Sequence, residues 1–472
     1  MRGLILAALV LFACASSAQT PVVPAPFWKD DFQDMLERRL IRVAVPYSRS
    51  LYVNDGGRTL GLSAQLARDF ERYLNRKYHQ RLGKRPLTVR LLRTPWNDLL
   101  PDVADGFADV AAGNLTVAES QSKLVDFVAL ADAKPNLEVV LTRVDGPAMD
   151  AVENLAGKSI HVRKSSRYQE SLQVLNERLR REGKAPVKIV PVPEDLDDED
   201  MMEMLNAGML DVIVVDEWKA RLWAGRLPRI QVHEQAAVGA GGIVGWAIRR
   251  DNPELRAELE SFFEDVGKRK YRFAGVYAQG LRPLRNNLGD AELKRLQDTL
   301  PLFRKYGEEY GFDPLLLAAQ AYQLSRLDQT AESVYGAVGI MQVTPAVGAA
   351  MKVGNIRTVE PNIHAATKYM DQLLARNFED AELSETNRTL FAIASYQAGA
   401  PDIARMRTEA ERRGLDPNQW FNNVEIVTAQ KLGLRTSAYV RDVYKYYVAY
   451  RLALDERRIV GMGRATVATV SR

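Results

Sequence analysis

One change of rhythm constrains this chain more than any other feature. Strand and helix patterns alternate up to about Phe263, and strand patterns stop beyond Phe273. IRVAVPY, Ile41 to Tyr47, is β-branched and apolar and is stopped by Pro46, as a buried strand would be. LSAQLARDFERYLNRKY, Leu62 to Tyr78, spaces its apolar residues at the helical period. LTVRLLR, DVIVVD (Asp211 to Asp216) and GIVGWAIRR (Gly242 to Arg250) read as further strands. Such alternation predicts an α/β region with a parallel sheet from about Leu40 to Phe263. From Asp290 to about Leu454 only helical patterns remain, broken at YGFDP, PAVG, SYQAG and RRGLDPNQ. Asp313 is placed to cap the helix that follows it, and Pro314 suits the first turn. The expected chain is an α/β half joined near Gly280 to Asn287 to an all-α half, without internal repeats or low-complexity tracts.

A length of 472 residues exceeds one ordinary core, and 46% hydrophobic with 26% charged residues is a globular balance. The formal charge of +4 comes from 64 basic against 60 acidic residues, which carries no nucleic-acid signature. Cys14 is the only cysteine, so no intrachain disulfide and no cysteine-based metal site is possible. His79, His161, His233 and His364 lack ligand spacing, so no metal and no cofactor is expected. Arg2 followed by the apolar run Leu4 to Ala13 reads as an export signal, too short to span a bilayer. Cleavage after SSA would start the mature chain at Gln19. LFAC instead resembles a lipoprotein box that would lipidate Cys14 as an outer-membrane anchor, although Phe12 is bulky for such a box. Both exits stay open. Three prolines between Thr20 and Pro26 make an extended spacer.

Six segments resemble, in order, the periplasmic solute-binding domains of the polar amino-acid type: RVAVPYS, GLSAQLARDF, WNDLLPDVADGFADVAAGNLTVAE, LAGKSIHVRKSSRY, LNAGMLDVIVVDEW and GWAIRRDNPEL. The resemblance implies two lobes crossed twice by the chain, with a small ligand in the cleft. It places Thr116, Ser165, Ser166 and Asp216 at that ligand, with Tyr47 or Tyr52 stacked over it. In the turn TVAES, Ser120 stands where the family supplies an arginine for an amino-acid carboxylate, so a muropeptide or other amino-acid-like ligand is expected rather than a free amino acid. Asp216 would equally serve as a helix cap, and Tyr47 as a core residue.

The helical half resembles the lytic transglycosylase domain that follows such a clamshell in the membrane-bound lytic transglycosylase F family. That family carries Glu-Ser at the end of a buried helix, then Gly-Leu-Met-Gln, an Ala-Tyr-Asn-Ala-Gly turn and a Tyr-Val motif. The corresponding segments here are LS (Leu324, Ser325), GIMQ (Gly339 to Gln342), SYQAG (Ser395 to Gly399) and AYV from Ala438. The resemblance implies a two-lobed α/β periplasmic-binding-protein-like domain followed by an all-α lysozyme-like domain. The expected divisions are a signal at 1–18, a linker at 19–38, the clamshell at 39–270, a linker at 271–290, the lysozyme-like domain at 291–455 and a loose tail at 456–472.

Leu324 occupies the position of the family's catalytic glutamate. Cleaving a glycosidic bond needs a proton donor for the leaving oxygen, and leucine can neither give nor take a proton. Asp328, one turn on, reads as a turn or cap residue, and Glu308 and Glu309 as solvated. Glu332 in the following loop is the weak substitute. The remaining frame, Ser325, Met341, Gln342, Tyr396, Gln397 and Tyr439, is expected to line a glycan site, with Gln397 in place of the usual asparagine. Leu317, Ala321 and Leu324 also make an ordinary apolar helix stripe, with the small alanines explained by close packing. Three functions follow: an exported cell-wall protein that binds peptidoglycan strands with impaired cutting, an active lytic transglycosylase using another acid, or an envelope scaffold.

Overall fold

The computed structural model describes residues 27–116, 123–129, 135–240, 242–268, 290–379 and 381–470. The export segment with Cys14, the proline spacer, Ser120 and the expected join at 280–287 lie outside the described residues. Among those described, the strands are β1 (Leu40–Val45), β2 (Val53–Asp55), β3 (Arg58–Leu60), β4 (Thr88–Arg93), β5 (Val110–Thr116), β6 (Val125–Val128), β7 (Leu137–Arg143), β8 (Ser159–Arg163), β9 (Lys188–Val192), β10 (Val212–Asp216), β11 (Ile230–Ala240) and β12 (Val244–Arg249).

Ten of them form two five-stranded sheets, one per lobe, and β2 and β3 pair as a separate hairpin. The first has the order β4-β1-β5-β12-β6 and the second β11-β7-β10-β8-β9. Every residue of β1 after Leu40 is buried, as a central strand covered on both faces requires. The sheets are mixed, not parallel throughout as the alternation predicted. β12 runs antiparallel to β5 and β6, and β7 runs antiparallel to β10 and β11. The reason is the connectivity: the chain crosses into the second lobe between β6 and β7 and returns between β11 and β12, so these strands are not closed by local crossover helices. Phe70, Phe262 and Trp246 fill the first lobe's core, with the two phenylalanine rings 5.1 Å apart.

The C-terminal half is helical throughout its described length. Asp313 caps the Pro314–Ser325 helix, its Oδ1 accepting from the amides of Leu315 (2.8 Å) and Leu316 (3.1 Å). That helix packs on the last one, Leu434–Val470, with Tyr322 4.6 Å from Tyr446 and 6.1 Å from Tyr450 between ring centroids. The last helix runs to Val470, so the expected tail beyond Arg457 is helical. A packed first half nucleates it, and each further residue then adds one backbone hydrogen bond. No described helix is long and apolar enough to cross a membrane.

The two halves share an apolar cluster. Met201, Met202 and Leu205 of the second lobe belong to the same buried group as Leu316, Phe391 and Trp420 of the helical half. The β2–β3 hairpin of the first lobe also docks on the helical half. The Gly56 amide donates to the Ala429 carbonyl (3.0 Å), and Asp55 Oδ1 accepts from the Leu434 amide (3.0 Å).

Candidate functional site

The end of the Pro314–Ser325 helix is tied to the GIMQ turn through Ser325, whose hydroxyl donates to the Ile340 carbonyl at 2.8 Å. The turn needs its glycine. Gly339 has φ +80°, and a Cβ there would lie 2.3 Å from Asn362 Nδ2 and 2.5 Å from Gln329 Nε2. Asn362 holds the turn from beneath, accepting from the Met341 amide (2.9 Å) and donating to the Val338 carbonyl (2.9 Å). Gln342 Nε2 donates to the Ala331 and Gly339 carbonyls at 3.1 and 2.9 Å. The Tyr396 hydroxyl donates to the Met341 carbonyl at 3.0 Å, and burial pushes its pKa up.

These contacts revise the expected glycan-lining set. The Met341 side chain is fully buried in the core rather than on a groove. The Ser325 hydroxyl and the Gln342 amide nitrogen are spent on building the turn. Tyr396 supports the same turn from a half-buried position. Gln397 and Tyr439 are the two expected residues that line an open space, a cavity of about 640 Å³ at the junction of the two halves. Gln323, the neighbour of Leu324, lines it as well.

Leu324 is half-buried at the helix end, before Arg326 turns the chain into the left-handed region at φ 58°. The carboxylates near it in sequence face elsewhere. Glu332 pairs with Arg357 at 2.7 Å, both more than half exposed. Asp328 accepts from the hydroxyl (2.7 Å) and amide (2.8 Å) of Thr330, which hold its pKa below the usual range. Glu308 and Glu309 are exposed.

Sequence reasoning missed the charges that meet at the junction. Arg49 follows β1 in the first lobe. The acidic helix Asp198–Ala207 and its cap Asp197 come from the second lobe, and Glu425, Arg441, Asp442 and Lys445 come from the helical half. Arg49 reaches Asp200 (2.8 Å), Glu203 (3.0 Å) and Asp197 (3.1 Å). Arg441 reaches Asp200 (2.7 Å) and Glu425 (2.9 Å), and Lys445 pairs with Glu203 and lies 3.0 Å from Asp442. Burial opposes the charge on Asp197, yet Arg49 and Arg441 hold its pKa well down. Burial pushes Glu425 and Asp442 up. Gln320 was also missed. Its fully buried amide lies beside the Tyr439 hydroxyl, and neither reaches full hydrogen-bond geometry with a partner. A glutamine inside LLLAAQAYQL was the visible signal.

The solute cleft is altered from expectation too. Asp216 stands at the cap position of the Glu217–Ala224 helix without a side-chain cap bond. Its carboxylate instead pairs with Arg167 and accepts from Asn136 Nδ2 at 2.9 Å, so the expected ammonium acceptor is engaged by the chain's own guanidinium. Arg167 also pairs with Glu138 at 3.0 Å. The Ser165 amide and hydroxyl both donate to Glu194, and the Ser166 hydroxyl donates to the Arg163 carbonyl (2.9 Å), so these serines bond within their own lobe. Tyr47 lines the junction cavity, where burial raises its pKa. Tyr52 is half-buried against the first lobe's core. Thr116 ends β5, and its side chain lies outside the described residues. Among the described residues no cluster of His, Cys, Asp and Glu is arranged to hold a metal.

Comparison with known proteins agrees with this two-part architecture. Residues 41–272 match the model of bacterial extracellular solute-binding proteins, family 3, and residues 301–418 match the transglycosylase SLT domain. The chain is 28% identical over 349 residues to a membrane-bound lytic murein transglycosylase F of Desulfosudis oleivorans, covering 71% of this chain and 73% of that protein. It is 27% identical over 460 residues to membrane-bound lytic murein transglycosylase F 1 of Alkalilimnicola ehrlichii, covering 91% and 87%. The two domain models in this order in one chain, together with these relatives, support the membrane-bound lytic murein transglycosylase F family for this chain.

Proposed function

We propose that this protein is exported to the cell envelope and binds peptidoglycan glycan strands through its lysozyme-like domain, with little or no cutting, while the clamshell takes a small cell-wall-derived ligand such as a muropeptide. One observation carries the reading: an intact structural frame surrounds Leu324, where the chemistry requires a proton donor. Glu332, held outward by Arg357, is poorly disposed to replace it. Anchoring through a lipid on Cys14 accords with the relatives' membrane-bound description.

A second reading, an active lytic transglycosylase, is favoured by one observation. Asp442 lines the same cavity as Gln397 and Tyr439, and burial raises its pKa in the direction a general acid needs. Its ion pair with Lys445 works against proton donation. Co-sedimentation with purified cell wall tests the binding claim. Wild type is expected in the pellet, and Tyr439→Ala is expected to stay in the supernatant. A wild type that stays soluble contradicts the reading.

A further inference from the structure

We propose that Arg435, on the wall of the junction cavity, receives a carboxylate of a muropeptide bound there, and that the β2–β3 hairpin of the first lobe completes that wall. The inference rests on the reading of the helical half as a glycan-strand binder. It adds a charge requirement and a part for the solute-binding half in building the site.

The cavity is walled from both halves. Gln323, Gln397 and Tyr439 face it from the helical side, and Val53, Asp55 and Leu60 of the hairpin face it from the first lobe. The hairpin is fastened in place by the Gly56 amide on the Ala429 carbonyl and by Asp55 on the Leu434 amide, both at 3.0 Å. A volume of about 640 Å³ falls in the range of small-ligand sites, roughly 300–1,000 Å³.

Four carboxylates on the wall, Asp55, Glu203, Glu425 and Asp442, each have a partner, and the cations divide cleanly. Arg49, Arg441 and Lys445 on the cavity wall are each fixed on buried carboxylates. Arg435, also on the wall, is exposed and has no hydrogen bond or ion pair among the described residues. The amides of Gln323 and Gln397 are likewise unengaged among those residues. Two free amides provide donors and acceptors suited to sugar hydroxyl and acetamido groups. A free guanidinium selects a carboxylate through charge-assisted hydrogen bonds. Together they specify an acetylated saccharide that carries an acid group.

The test uses the full chain and two probes, a disaccharide–tetrapeptide muropeptide and the neutral oligomer chitotetraose, measured by calorimetry. Competition by chitotetraose separates the cavity from the clamshell: Arg435→Gln is expected to weaken the competed muropeptide binding at least tenfold and to leave chitotetraose unchanged, with an unaltered melting temperature because the side chain is exposed. Gln397→Ala is expected to weaken both probes. Loss of neither probe, or equal loss of both, in Arg435→Gln overturns the charge assignment, while the glycan reading survives if Gln397→Ala weakens both. A wild type that binds neither probe overturns the glycan reading itself.

Discussion

Arg441 Nη1 lies 2.7 Å from Asp200 Oδ2, so the last helix of the helical half is locked to the acidic helix of the solute-binding half. Both groups are almost fully buried, and the same guanidinium holds Glu425. Removing the guanidinium leaves the buried Glu425 uncompensated, which costs about 3–5 kcal/mol, while Asp200 keeps Arg49. Arg441→Met is expected to destabilise the protein by that amount in denaturant titration. The triple change Arg441→Met, Glu425→Gln, Asp200→Asn is expected to recover part of it, because no charge is then left unpaired there.

Acid should loosen the same junction. Asp197 and Glu203 have folded pKa values below their ordinary values of 3.8 and 4.5: burial opposes the shift, and Arg49 with Arg441 or Lys445 overcomes it. The unfolded chain therefore takes up protons first. Their contribution is complete above those ordinary values and is lost as pH falls below about 4. Melting temperature measured from pH 7 to pH 2 should drop steeply below about pH 4, and the drop should be shallower in Glu203→Gln.

Gly339→Ala places a Cβ at φ +80° and 2.3 Å from Asn362 Nδ2. A left-handed non-glycine residue alone costs about 1–3 kcal/mol, and this one also displaces the asparagine that holds the turn. The expected outcome is a lowered melting temperature and loss of cell-wall sedimentation, whereas Ala337→Gly in the adjoining loop should retain binding.

The sequence is also expected to yield a mature chain without its first residues. Mass spectrometry of the mature N-terminus is expected to show a chain beginning either at lipidated Cys14 or at Gln19. A chain beginning at Gln19 removes the anchor, and one beginning at Met1 removes export as well.

Much of the fold was legible because its signals are local. The strand at Ile41, the helix from Leu62 and the Asp313 cap depend on neighbours a few residues away, and all appear in the structure. The motif series around Leu324 likewise located the GIMQ turn and the Tyr396 contact. Motifs do not say which way a side chain turns, so Met341 read as lining and proves to be core. Asp216 read as a ligand contact because Arg167, its partner, lies 49 residues earlier with nothing local to pair them. The junction was hidden for the same reason. Arg441 and Asp200 are 241 residues apart, and an acidic run such as DLDDED reads as a solvated face until another part of the chain covers it.

The central claim is that Leu324 disables an otherwise intact site, and release of anhydro-muropeptides from purified cell wall measures it. Leu324→Glu places a carboxyl at a half-buried position, where desolvation raises its pKa as a proton donor requires. The new polar group costs about 1–3 kcal/mol if poorly satisfied. The account predicts little or no release by wild type and measurable release by Leu324→Glu. Ready release by wild type, abolished in Asp442→Asn or Glu332→Gln, would contradict it and assign the reaction to that acid.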